Sequence, residues 1–226
     1  MKKIILFGTL LFCIFTFLPM TGCSKSPDLT DYVSEYRSDL FSGTNGEYSV
    51  FATCSKREYP YAADGNVGDI SDLFEVALTV PDNTKTYSIA FQMDGKTYSA
   101  EMAFDSVQLV HTWSQSIPAT KQTTLEFEIS CSEEENFQPI LVTAENVKDE
   151  TTLPLAELLK KISAAEADRF AALTSGSMFC GELYVRLLCE DGDSFYYVGL
   201  IDRSGSIYAM LVDAQNGDII ATKEQS

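Results

Sequence analysis

The chain has 226 residues, with 16 Lys and Arg against 33 Asp and Glu, a single His, and a net charge of −17. That acidic balance excludes proteins that track nucleic-acid phosphates, which need clustered Lys and Arg. The chain also contains no Gly-x-Ser-x-Gly elbow, no Ser-x-x-Lys, no Gly-rich phosphate loop and no His-Glu-x-x-His, so no catalytic or cofactor motif stands out.

The N-terminus has Lys2 and Lys3 followed by an uncharged apolar run over residues 4–18. This is the layout of a secretory signal, and it falls short of the ~20 residues that span a bilayer as a helix. The run ends at Met20-Thr-Gly-Cys23, which resembles the lipobox of bacterial lipoproteins, with Met20 standing where that family usually has Leu. The resemblance implies removal of residues 1–22, a lipid (palmitate-type) anchor on Cys23 and a location at the extracytoplasmic face of the cell membrane, as in Gram-positive-type surface lipoproteins. The mature chain would carry 14 basic and 33 acidic residues, net −19. The excess is concentrated in residues 23–150, with 8 basic and 22 acidic, against 6 and 11 in residues 151–226. It reads as solubility and repulsion from an anionic cell surface.

Residues 23–46 read as a tether and a short amphipathic helix, because Leu29, Val33, Tyr36, Leu40 and Phe41 recur at spacings of three and four before Ser42-Gly43. From residue 47 the period changes to two. Strands are expected near residues 48–52, 73–80, 86–93, 96–104, 107–113, 124–130 and 140–143, with Asp94-Gly95 as a two-residue hairpin turn. Seven short strands without a helical pattern predict an antiparallel β-sandwich over residues 47–148, of immunoglobulin-like architecture. The Cys and Trp order of true immunoglobulin domains is absent.

Residues 151–226 predict a small helix-plus-antiparallel-sheet domain, making the fold class α+β. Leu155, Leu158, Leu159, Ile162, Ala165, Phe170 and Leu173 share a helical face behind Pro154. Ser163-Ala-Ala-Glu166 matches a capping box, so two consecutive helices are an open alternative to one. Four strands follow over residues 182–189, 195–201, 207–213 and 218–222. The run Tyr208-Ala-Met-Leu-Val-Asp-Ala-Gln-Asn-Gly-Asp-Ile-Ile220 resembles the last hairpin of a PepSY domain. The resemblance covers residues 151–223, without the alanine-led helix repeat of that family, and implies a peptidase-modulating or partner-binding role.

Candidate chemistry is sparse. His111, beside Trp113 in a strand-like run, reads as a packed residue. Cys180 and Cys189 flank a strand that would hold them roughly 30 Å apart at ~3.3 Å per residue, beyond disulfide reach without a bend near Gly181. For Cys54 and Cys131, a disulfide and free thiols both fit. The acidic loops 64–69, 191–193 and 213–218 lack the EF-hand ligand order, and their Asp and Gly are explained by turn geometry. Neither a metal nor a cofactor is expected. Tyr59-Pro-Tyr61 sits in a predicted loop where two rings can face a ligand, and Tyr196-Tyr197 should place one ring inside and one outside. The sequence therefore predicts a non-catalytic surface lipoprotein that binds an envelope protein, with Tyr59 and Tyr61 as binding candidates. Glycan or small-ligand binding through the sandwich loops is the alternative.

Overall fold

A computed structural model describes residues 26–62, 64–133 and 136–225. The expected signal, the lipobox and Cys23 lie outside the described residues, as do Glu134 and Glu135 of the acidic loop.

The chain makes one 3-10 turn (Leu29–Tyr32), where Asp28 accepts from the Thr30 amide at 3.1 Å, and then enters strand β1 (Val33–Asn45). The helix expected over residues 29–41 is thus replaced by a strand after a single turn. Two bulges explain the difference, with register shifts between Val33 and Glu35 and between Arg37 and Asp39. Each bulge adds a residue to the two-residue strand period. Val33, Tyr36 and Leu40 consequently fall at spacings of three and four and imitate a helical face. Ser42-Gly43 lies inside β1 rather than ending an element.

The remaining strands of the first half are β2 (Tyr48–Glu58), β3 (Ile70–Thr79), β4 (Tyr87–Met93), β5 (Lys96–Glu101), β6 (Ala103–Asp105), β7 (Val110–Gln115), β8 (Thr124–Cys131) and β9 (Ile140–Asn146). The stretch expected as one strand over residues 96–104 breaks at Met102, whose amide donates to the Tyr87 carbonyl at 2.9 Å. Strands β4, β5, β8 and β9 form one layer of the sandwich; β1, β2, β3, β7 and β6 form the other, with β9 pairing β1 at Phe41 and Ser42. Val50, Ala52, Cys54, Phe74, Val76, Leu78, Ile89 and Phe127 meet in a closed core between the layers.

The second half forms helices α1 (Leu155–Ala165) and α2 (Ala167–Ala172), the short pair β10 (Thr174–Ser175) and β11 (Met178–Phe179), and the meander β12 (Gly181–Glu190), β13 (Asp193–Asp202), β14 (Ile207–Asp213) and β15 (Ile219–Gln225). The two-helix alternative holds, with the break at Glu166. No capping box causes it: Ser163 Oγ donates to the Lys160 carbonyl, while Glu166 accepts from the Tyr208 hydroxyl at 3.1 Å. Leu158, Leu159, Ile162 and Phe170 pack on Leu183, Val185, Leu187, Tyr196 and Val198, each fully buried aliphatic side chain contributing roughly 1.5–3 kcal/mol. The expected α+β class is the one observed: an antiparallel sandwich followed by a helix-plus-antiparallel-sheet unit.

The two units share a strand. β1 pairs β12 in parallel and β2 antiparallel, giving a continuous order β15-β14-β13-β12-β1-β2-β3-β7-β6. Leu40 belongs to the helix-covered core and its neighbour Phe41 to the sandwich core.

Candidate functional site

Strand alternation puts Leu183, Val185 and Leu187 toward the helices, which leaves Glu182, Tyr184 and Arg186 on the opposite face of β12. The parallel register sets Glu35 beside Tyr184 and Arg37 beside Arg186. On β13, Tyr196 is fully buried and donates to the Leu153 carbonyl at 2.9 Å, whereas Tyr197 points to the face of Tyr184. One ring is inside and one outside, as expected.

Residues 59–62 and 64–69 lie across this face as a strap. The Tyr59 amide donates to the Asp69 carbonyl at 3.1 Å and closes the base. Two carboxylates hold the span: Glu182 Oε2 accepts from the Gly65 amide and Glu58 Oε1 from the Gly68 amide, both at 3.0 Å. Gly65 passes so close to Asp202 and Arg203 that a Cβ there would meet their backbone at 2.8–2.9 Å. Glu182 is fully buried and also accepts from Ser34 Oγ at 3.1 Å. Burial pushes its carboxyl above the ordinary value, against the lowering effect of these hydrogen bonds, and the charges of Glu58 and Asp64 add to the rise.

Beside the strap, Arg186 makes a bidentate pair with Glu35, Nε and Nη2 each at 2.8 Å. Its guanidinium carbon lies 4.9 Å from the Tyr184 ring centroid. Tyr184 stacks on Tyr197 with centroids 5.6 Å apart and hydroxyls at 3.4 Å. Gly199 makes room for this stack, because a Cβ there would fall inside the Tyr184 ring. The expected tyrosine pair separates: Tyr59 is 74% exposed, while Tyr61 is 43% exposed and feels Glu182, Arg186 and Glu35. Burial, with the negative charge of Glu182, pushes the Tyr61 phenol up to about 12. The phenol is therefore a neutral hydrogen-bond donor at physiological pH. Tyr197 and Arg186 on the sheet and Tyr61 on the strap together present donors and aromatic edges, a combination suited to recognition.

The other candidates fall elsewhere. His111 is buried between Tyr87 and Phe104, with ring centroids at 5.0 and 5.2 Å and neither nitrogen hydrogen-bonded among the described residues. Burial pulls its pKa below the ordinary value. Cys54, Cys131, Cys180 and Cys189 are free thiols, and burial pushes Cys54 up to about 11. The acidic loops are turns: Asp64 Oδ1 accepts from the Asn66 amide, and Asp213 Oδ1 from the amides of Gln215 and Asn216. Among the described residues, no three carboxylate, imidazole or thiol groups converge on a position for a metal ion.

Sequence reasoning missed Glu182, Arg186 and Glu35. The first two were marked by charges at alternate positions of an otherwise apolar strand; Glu35 was hidden by the helical reading of β1. No family model, curated protein or solved structure matches the chain.

Proposed function

We propose that this protein is a lipoprotein anchored through Cys23 at the extracytoplasmic face of the membrane, and that it binds an envelope protein without catalysing a reaction. A peptidase-modulating role, as the PepSY resemblance of residues 151–223 implies, is the form this binding takes. The observation that carries the reading is the strap face, where Tyr61, Tyr197 and Arg186 stand half-exposed on a fixed platform. Tyr and Arg are the residue types that dominate interface energetics. Arg186 is already engaged by Glu35 and the Tyr61 phenol is neutral, so the face offers contacts rather than a base or nucleophile.

The test is crosslinking in the native cells, with recovered proteins identified by mass spectrometry for the wild type, Cys23→Ala and Tyr61→Ala. One dominant envelope protein should be recovered with the wild type, and recovery should fall with Cys23→Ala. With Tyr61→Ala it should fall by roughly tenfold or more, the effect of removing a central aromatic contact. Recovery unchanged in both variants overturns the proposal. The outward ring of Tyr59 favours glycan binding as the second reading. That reading requires Tyr59→Ala with Tyr61→Ala to abolish retention on cell-wall polysaccharide.

A further inference from the structure

The face that carries the strap continues across β1, β2, β3 and β7 into a groove of about 540 Å³. Register places Thr53, Ala77 and Thr112 on its floor, small residues that leave the sheet surface open. At one wall stands Arg37. Its Nε is buried with no hydrogen-bond partner among the described residues, and no carboxylate there forms an ion pair with it. The neighbouring cation Arg186 is occupied by Glu35. Burial acts most strongly against the Arg37 cation and the like charge of Arg186 adds to it, while the carboxylates of Glu35 and Glu75 favour it. A buried N–H left without an acceptor is costly unless one reaches it from outside the chain.

The wall formed by β5, β6 and β7 has the opposite character. Glu101 is exposed and its carboxylate has no ion-pair partner among the described residues. Asp105 spends one oxygen on the amides of Val107 and Gln108, at 2.8 and 3.1 Å, which leaves the other available. Of the three carboxylates that line the groove, Glu75 lies 4.0 Å from Arg57. The unbonded Arg37 Nε thus faces Glu101 and Asp105 across the groove, with the hydroxyls of Thr53, Thr112 and Ser114 between them.

We propose that this groove binds a short peptide with free termini, its carboxylate on Arg37 and its ammonium on Glu101 and Asp105. Length argues for a peptide over a free amino acid. β1 and β6 are four strand spacings apart in the sheet, about 19 Å at ~4.8 Å each. Three extended residues cover about 10 Å, and the reach of the Arg37 and Asp105 side chains closes the rest; one residue does not. The volume lies within the range of small-ligand sites, ~300–1,000 Å³.

The Trp113 ring packs against Phe74, Phe91 and Tyr98 on the core side of β7, away from the groove, so occupancy is read by the heat of binding in isothermal titration calorimetry. The experiment titrates the protein with trialanine, N-acetyl-trialanine, trialanine amide and free alanine up to millimolar concentration. Trialanine should give a saturable heat of binding, and each blocked form should bind at least about tenfold more weakly, the effect of losing a charge-assisted contact. Arg37→Gln should abolish the preference for the free carboxylate. Glu101→Gln, on an exposed side chain that the fold does not need, should reduce the preference for the free ammonium. No saturable change with trialanine, or equal binding of the free and blocked forms, overturns the proposal.

Discussion

Two buried titratable residues act on stability in opposite directions. Folding raises the Glu182 carboxyl above its ordinary value of 4.5, so between those two values the native state holds more protons than the unfolded chain. Stability therefore rises as pH falls through the folded value, and the gain is complete near 4.5. Folding lowers the pKa of His111 from 6.5; the unfolded chain takes the proton first, and stability is lost as pH falls below that value. Urea denaturation near neutral and near pH 5 separates the two. Glu182→Gln, with its amide able to serve Ser34 and its carbonyl the Gly65 amide, should match or exceed wild-type stability near neutral and lose the gain on acidification. His111→Leu should be neutral or stabilising, since it removes two unpartnered ring nitrogens, and should flatten the loss below 6.5. Arg186→Ala should cost about 2 kcal/mol, because it leaves the buried Glu35 carboxylate without its partner. The packed role of His111 was legible in the sequence from its place in a strand beside Trp113. The importance of Glu182 was not, because a lone glutamate in a strand does not show which backbone amide will reach it.

At the scale of elements, local signals were reliable wherever the chain turns back on itself. Asp94-Gly95 and Asp191-Gly192 form the expected tight turns with positive φ at both residues, since hairpin geometry is settled within four residues. The C-terminal strands appear where alternation places them, and the expected helix face packs except at Ala165, which is exposed. β1 was misread because its bulges depend on pairing with β2 and β12, partners that a short window does not contain. Two variants test how these elements are held. Gly199→Ala should displace Tyr184 from its stack and cost about 1–3 kcal/mol, the usual effect of overpacking. Leu40→Ala and Phe41→Ala, fully buried in different cores, should each cost about 2–5 kcal/mol. If β1 unites the units, both should shift one common thermal transition, whereas two resolved transitions, each answering to one variant, would contradict that role.

For the whole molecule, net charge and topology set the conditions under which the face and groove work. An excess of acidic residues as large as −17 destabilises the compact state by self-repulsion, so the melting temperature should rise as salt approaches about 0.15 M, where the Debye length is ~8 Å. A melting temperature that stays flat or falls with added sodium chloride would show that local ion pairs outweigh the global field. What the sequence determined by itself is local: the period-two strands, the turn residues, the C-terminal helices, the α+β class and the overall acidity, all of which follow from neighbours along the chain. What only the tertiary structure decided is the meeting of distant residues. Glu35 and Arg186 are 151 positions apart, and Gly65 and Glu182 117 apart. They come together because the bulged β1 runs parallel to β12, a pairing whose energy comes from burying two cores at once and leaves no trace in either segment alone.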